Sequence, residues 1–164
     1  MNKIIVYIQM LVFFVIFFPV YLYALTVNFD GTLVVTPPEC TINGGAAVNV
    51  NFGDVHESLI DSYNYKRLPI DYTLNCINVY SNALKMTVSW SPDTINRQNV
   101  ISTNRTNLGI AIYKNTTRLS NGDIINFTNG NQPELYAVPV KPAGMTLTDG
   151  GLFYGTLTFI VDYQ

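Results

Sequence analysis

The sequence predicts an all-β sandwich of immunoglobulin type. Helical periodicity is absent beyond residue 24, and the rest of the chain is a succession of short alternating runs separated by turn-forming clusters. Two cysteines in the same stretch add one cross-link to a chain of single-domain length.

The first 24 residues are of a different kind. Lys3 supplies a short positive start, Ile4 to Phe18 is apolar except for Gln9, and Pro19 and the small Ala24 close the segment. This is the pattern of a secretory signal peptide, and its removal leaves about 140 residues beginning at Leu25. A permanent anchor would need about 20 apolar residues and a basic cytoplasmic flank.

Residues 25–36 form an arm. Leu25, Val27, Phe29, Gly31 and Leu33 share one face of an extended chain, with Thr26, Asn28, Asp30 and Thr32 on the other. A strand is therefore expected over Leu25 to Val35. Thr36-Pro37-Pro38 ends it, because proline cannot continue a ladder, and the domain proper runs over 37–164.

Within the domain, strands are expected at Ala47 to Phe52, Leu68 to Cys76, Leu84 to Trp90, Leu108 to Tyr113, Asp123 to Phe127, Glu134 to Val140 and Phe153 to Tyr163. Asn43-Gly44-Gly45, Ser91-Pro92-Asp93, Ser120-Asn121-Gly122, Asn129-Gly130-Asn131 and Asp149-Gly150-Gly151 are the turn signals between them. Trp90 shares the parity of Leu84, Met86 and Val88, which places it on the core face. The last strand is the unusual one. Phe153, Gly155, Leu157, Phe159, Val161 and Tyr163 alternate with Tyr154, Thr156, Thr158, Ile160 and Asp162, and no strand follows to pair with them. Its peptide groups need a partner from earlier in the chain or from another chain.

Composition excludes several function classes. The formal net charge is −2 with no basic patch, which argues against nucleic acid as a partner. Cys40 and Cys76, an even count in an exported chain, are expected to form one disulfide. His56 is the single histidine, and beside Asp54 and Glu57 it reads as a surface-loop residue rather than a general base. With the cysteines committed, too few ligands remain for a metal, and neither a nucleophile elbow nor a phosphate-binding glycine loop occurs. No enzyme activity, metal or cofactor is expected. Asn104, Asn115 and Asn126 fit the glycosylation pattern but read as ordinary loop asparagines.

The two ends of the exported chain resemble the pilin subunits of chaperone-usher fimbriae, most closely the minor tip subunits of P-pilus type. That family ends on a glycine fourteen places from the terminus, apolar residues at eight, six and four places, and a penultimate aromatic. Gly151, Leu157, Phe159, Val161 and Tyr163 occupy those positions. VNFDGTLVVTPPECTINGG resembles the family's N-terminal arm, with its glycine at Gly31, leading through proline to the first cysteine. VNVNFGDV, LNC and NLGIAIYKN agree as well, and the pattern departs only where Glu39 separates proline from Cys40.

The resemblance implies an immunoglobulin-like sandwich lacking its last strand and completed in trans. Gly151, Phe153, Leu157, Phe159, Val161, Tyr163 and Gln164 would form the groove-lining, chaperone-binding strand; Leu25, Val27, Phe29, Gly31 and Leu33 would form the donor arm. The implied partners are a periplasmic pilus chaperone, an outer-membrane usher, and neighbouring pilin subunits or the tip adhesin, with export through the periplasm to a surface fimbria. A structural tip or adaptor subunit supporting cell adhesion is the expected role. The alternatives are a receptor-binding adhesin, which needs a further lectin domain and has no donor arm, and a subunit that terminates assembly.

Overall fold

The computed structural model describes residues 24–164, so the expected signal peptide lies outside the described residues. The chain divides into two compact units, one ending at Val35 and one spanning Thr36–Gln164. In the first, residues 24–35 carry no strand, and Leu25, Val27, Phe29 and Leu33 are exposed. The alternation that predicts a strand is present there, but a strand exists only where a ladder partner satisfies its peptide groups.

The second unit is an incomplete immunoglobulin-like sandwich. Strand β1 (Glu39–Ile42) pairs with β3 (Leu74–Ile77). The large sheet runs β2 (Leu68–Pro69), β10 (Leu135–Val140), β7 (Gly109–Lys114), β6 (Gln98–Ser102) and β5 (Pro92–Ile95), with β8 (Thr117–Arg118) also pairing with β7. The opposing sheet orders β11 (Leu157–Tyr163), β4 (Ala83–Trp90) and β9 (Ile124–Thr128). Every pairing is antiparallel.

Several expectations need adjustment. The run Leu68 to Cys76 is two strands in different sheets, β2 and β3, because the chain turns the corner of the sandwich between them. Pro92 opens β5 instead of closing a turn; the turn lies at Asn96 and Arg97, both at positive φ, which makes β5–β6 a two-residue hairpin. β1 begins directly after Pro38, since proline stops a ladder only at its own position. Ala47 to Phe52 is no strand: among the described residues, these residues make no main-chain hydrogen bond to another segment.

The core lies between the sheets. Leu84, Met86, Val88 and Trp90 alternate inward along β4 as expected, and Met86, Val88 and Trp90 share one core cluster with Ile110, Ile112, Leu135 and Ala137 of the large sheet. The Trp90 indole N–H donates to Asn99 Oδ1 at 3.0 Å, so its polar end is satisfied.

A second apolar cluster covers the outer face of the large sheet, with Val100, Ala111, Tyr113, Val138 and Val140 at its centre. The 53–67 segment is fastened near it. The Arg67 guanidinium lies 4.7 Å from the ring centres of both Tyr113 and Tyr136 and donates to the Asn115 carbonyl. Lys141 Nζ donates to Glu57 Oε2 at 2.7 Å, and this bond, with one from the Leu147 amide, holds the Glu57 carboxyl below its ordinary range. At Asp61, burial acts to raise the pKa, but amides of Tyr63, Asn64 and Tyr65 donate to the carboxylate and bring it down.

Cys40 and Cys76 form a disulfide across directly opposed positions of β1 and β3. It closes a separation of 36 residues, so its loss is expected to cost about 3 to 4 kcal/mol on the loop-entropy account. Replacing both cysteines by serine in a strand-complemented form of the chain, and measuring denaturant midpoints, checks that magnitude. An unchanged midpoint would count against it.

Candidate functional site: a groove beside the last strand

Among the described residues, β11 pairs with β4 and with no strand on its other side. The Gln164 amide donates to the Ala83 carbonyl, so the peptide groups of even-numbered residues point toward β4. That direction persists beyond the strand. The Tyr154 amide donates to Asn104 Oδ1 at 3.0 Å, while the Leu152 carbonyl accepts from Asn104 Nδ2 at 3.2 Å and Arg105 Nε at 2.9 Å. Asn104 and Arg105 thus stand in for a ladder partner where β4 has ended. The peptide groups of residues 155, 157, 159, 161 and 163 face the other way, along an edge that no described strand pairs.

Beside that edge runs a groove of about 560 Å³. Val48, Val50 and Phe52 form one wall and Phe153, Leu157 and Phe159 the other; Ile70, Ile101, Ile110, Ile112 and Ala137 make the floor. The lining is largely aliphatic and aromatic, and among the described residues no charged side chain contributes to it. Both walls are extended chain without a ladder bond between them. The geometry is that of an open slot, with an edge of β11 that no described strand pairs and apolar side chains beneath.

The expected site residues on the last strand fall in this arrangement as follows. Phe153 stacks on Phe52 with ring centres 5.7 Å apart, and Phe159 packs on Tyr72 at 5.3 Å. Leu157, Phe159 and Val161 are half-buried and pack against the core, with Val161 beyond the groove itself. The Tyr163 hydroxyl accepts from the Tyr80 amide at 3.0 Å, and the Gln164 side chain donates to the carbonyls of Leu84 and Phe127, tying the end of β11 to β4 and β9. Gly151 sits at φ +112°, and a Cβ there would come within 2.6 Å of the Arg105 guanidinium. Arg105 is itself paired with Asp149 at 2.9 Å, so the glycine is required where the chain enters the last strand.

Sequence reasoning missed Tyr72. Its hydroxyl donates to the Pro133 carbonyl at 2.6 Å, and burial pushes its pKa up to about 12, so a neutral phenol lies beneath Phe159. It also missed Asn104 and Arg105, which carry no motif. His56 is exposed in the 53–67 segment, its amide donating to the Tyr65 hydroxyl. Among the described residues, no cluster of His, Cys, Asp and Glu is arranged to hold a metal.

Comparison with known proteins agrees with this geometry. Residues 27–164 match the family model described as Fimbrial protein. The chain belongs to the fimbrial protein family. It is 40% identical over 136 residues to the fimbrial-like protein YfcR of Escherichia coli (strain K12), covering 80% of this chain and 77% of that one. In fold it is similar to the P pilus adaptor subunit PapF, with TM-score 0.58 and 24% identity over 79% of this chain and 98% of that one. It is similar also to the P pilus rod subunit PapA, with TM-score 0.55 and 20% identity over 85% and 99% of the two chains. This fimbrial chain belongs to a family of structural fibre subunits and not of enzymes. Membership implies a place on the cell-surface pilus.

Proposed function

We propose that this pilin is a tip or adaptor subunit that polymerises by donor-strand exchange. The observation that carries the reading is the apolar groove beside β11, bordered by an edge that no described strand pairs. A periplasmic chaperone fills it first, and at the outer-membrane usher the N-terminal arm of a neighbouring subunit takes the chaperone's place. The chain's own donor arm, with Leu25, Val27, Phe29, Gly31 and Leu33 on one face, fills the groove of another subunit in turn. Carrying both an arm and a groove suits a subunit with a neighbour on each side, which favours the structural role over an adhesin or a terminating subunit.

The energetics suit a permanent joint. Burying Val27, Phe29 and Leu33 contributes at most about 5 to 9 kcal/mol, to which the ladder bonds add about 0.5 to 1.5 each. That is comparable to the stability of a whole domain. Exchange is therefore slow to reverse.

Deleting residues 25–35 separates the two roles. The truncated subunit is expected to bind its chaperone with unchanged affinity, because the chaperone occupies the groove. In a purified exchange assay with the preceding subunit still bound to chaperone, it is expected to yield no joined product. Joined product at the wild-type rate would remove the arm from the mechanism.

A further inference from the structure

Two large exposed side chains stand on the segment that leads into the last strand beside the groove. Leu152 is 81% and Tyr154 66% exposed. Both are on a segment whose backbone is fixed by Asn104 and Arg105. Phe153 and Gly155 face inward, toward Phe52 and toward Ile101 and Ile110, which leaves the Leu152 and Tyr154 side chains exposed, with Tyr154 at the rim of the groove.

The arm has a matching irregularity. Its outward face reads Thr26, Asn28, Asp30, Thr32 and then Val34, which is 80% exposed. The polar pattern breaks at one apolar residue near the end of the arm.

Direction and register bring these together. In the antiparallel sense the end of the arm reaches the beginning of the last strand, and Val34 arrives at the Leu152–Tyr154 pair; in the parallel sense it would arrive near Asp162. The register that places Leu33 beside Gly155 sets Gly31 beside Leu157, Phe29 beside Phe159 and Val27 beside Val161. Large meets small at both glycines. Gly155 admits no side chain of its own, since a Cβ there would lie 2.8 Å from Ile101. A shift of two residues sets Gly31 beside Gly155 and leaves a void, and a shift of one turns the apolar face outward.

We infer that the groove accepts residues 25–35 of a second copy of this chain, and that Val34 of that copy closes the mouth by packing on Tyr154 and Leu152. This rests on the donor-strand reading and names the partner and the contact that selects it. Cross-strand apolar pairs of this kind act mainly by slowing dissociation.

The test is a competition. The exported chain is refolded with an equal mixture of two synthetic peptides, residues 24–37 and the same segment with Val34→Ser, and native mass spectrometry counts which is captured. The wild-type chain is expected to favour the Val34 peptide about three- to five-fold, as one such pair gives. In the Leu152→Ser, Tyr154→Ser double variant the preference is expected to vanish while capture persists. Equal capture by the wild-type chain, or a preference that survives in the double variant, overturns the Val34 contact while leaving donor-strand insertion in place. Capture of neither peptide overturns the groove reading, and this inference with it.

Discussion

Fusing a copy of Leu25 to Val35 after Gln164 through a short flexible linker is expected to give a monomer that unfolds cooperatively at a far higher temperature than the unfused chain. The last strand ends at Tyr163, and an antiparallel partner must begin beside that end, so a hairpin linker of a few residues suffices. A parallel return would need a long crossover. Tethering raises the effective concentration of the added strand to about the millimolar range, so it outcompetes arms supplied by other molecules. It covers the walls of the groove and pairs the odd-numbered peptide groups of β11, both of which otherwise face water along an aggregation-prone edge. Thermal unfolding of the two forms, with size-exclusion chromatography, is the measurement. A cooperative, soluble monomer from the unfused chain at the same transition temperature would mean that the sandwich needs no further strand.

Much of this arrangement could be read from the residues because it is written in period two. β4 and β11 are long, alternate strictly, and have one face in the core, so their inward faces followed from parity, whereas their pairing with each other did not. The β5–β6 hairpin was illegible for a local reason. Its turn is Asn96-Arg97, and an arginine at positive φ lacks the glycine that marks such turns. The walls of the groove divide along the same line. Leu157 and Phe159 declare themselves by alternation, whereas the 47–52 wall looks like a strand and makes no ladder, since hydrogen bonding depends on neighbours the pattern does not contain. Tyr72 and Asn104 act through contacts with residues distant in sequence, Phe159 in one case and Leu152 and Tyr154 in the other. No local signal marks either.

Phe159→Asp is expected to abolish capture of any donor strand, and with it the gain from the fused strand. Phe159 is half-buried, packs on the core, and has its ring 5.3 Å from that of Tyr72, whose own polar atom is already committed to the Pro133 carbonyl. A carboxylate there meets no cationic side chain in the groove lining, and an incoming strand would seal it from water. An uncompensated buried charge costs about 3 to 5 kcal/mol, and loss of the aromatic packing adds about as much again. Together these match or exceed what the inserted side chains contribute, which leaves only the ladder bonds to set against the entropy of ordering the strand, and capture is lost. The neighbouring position supplies the control. Ile160 is exposed on the opposite face of β11, paired beside Thr87 and outside the groove lining, and Ile160→Asp keeps its charge in solvent. Chaperone pull-down and thermal unfolding of the fused forms should therefore separate the two variants, with Ile160→Asp near wild type and Phe159→Asp showing neither binding nor a cooperative transition. If both variants retain binding, Phe159 does not line the surface that receives the strand, and if both lose it the parity of β11 is not what decides.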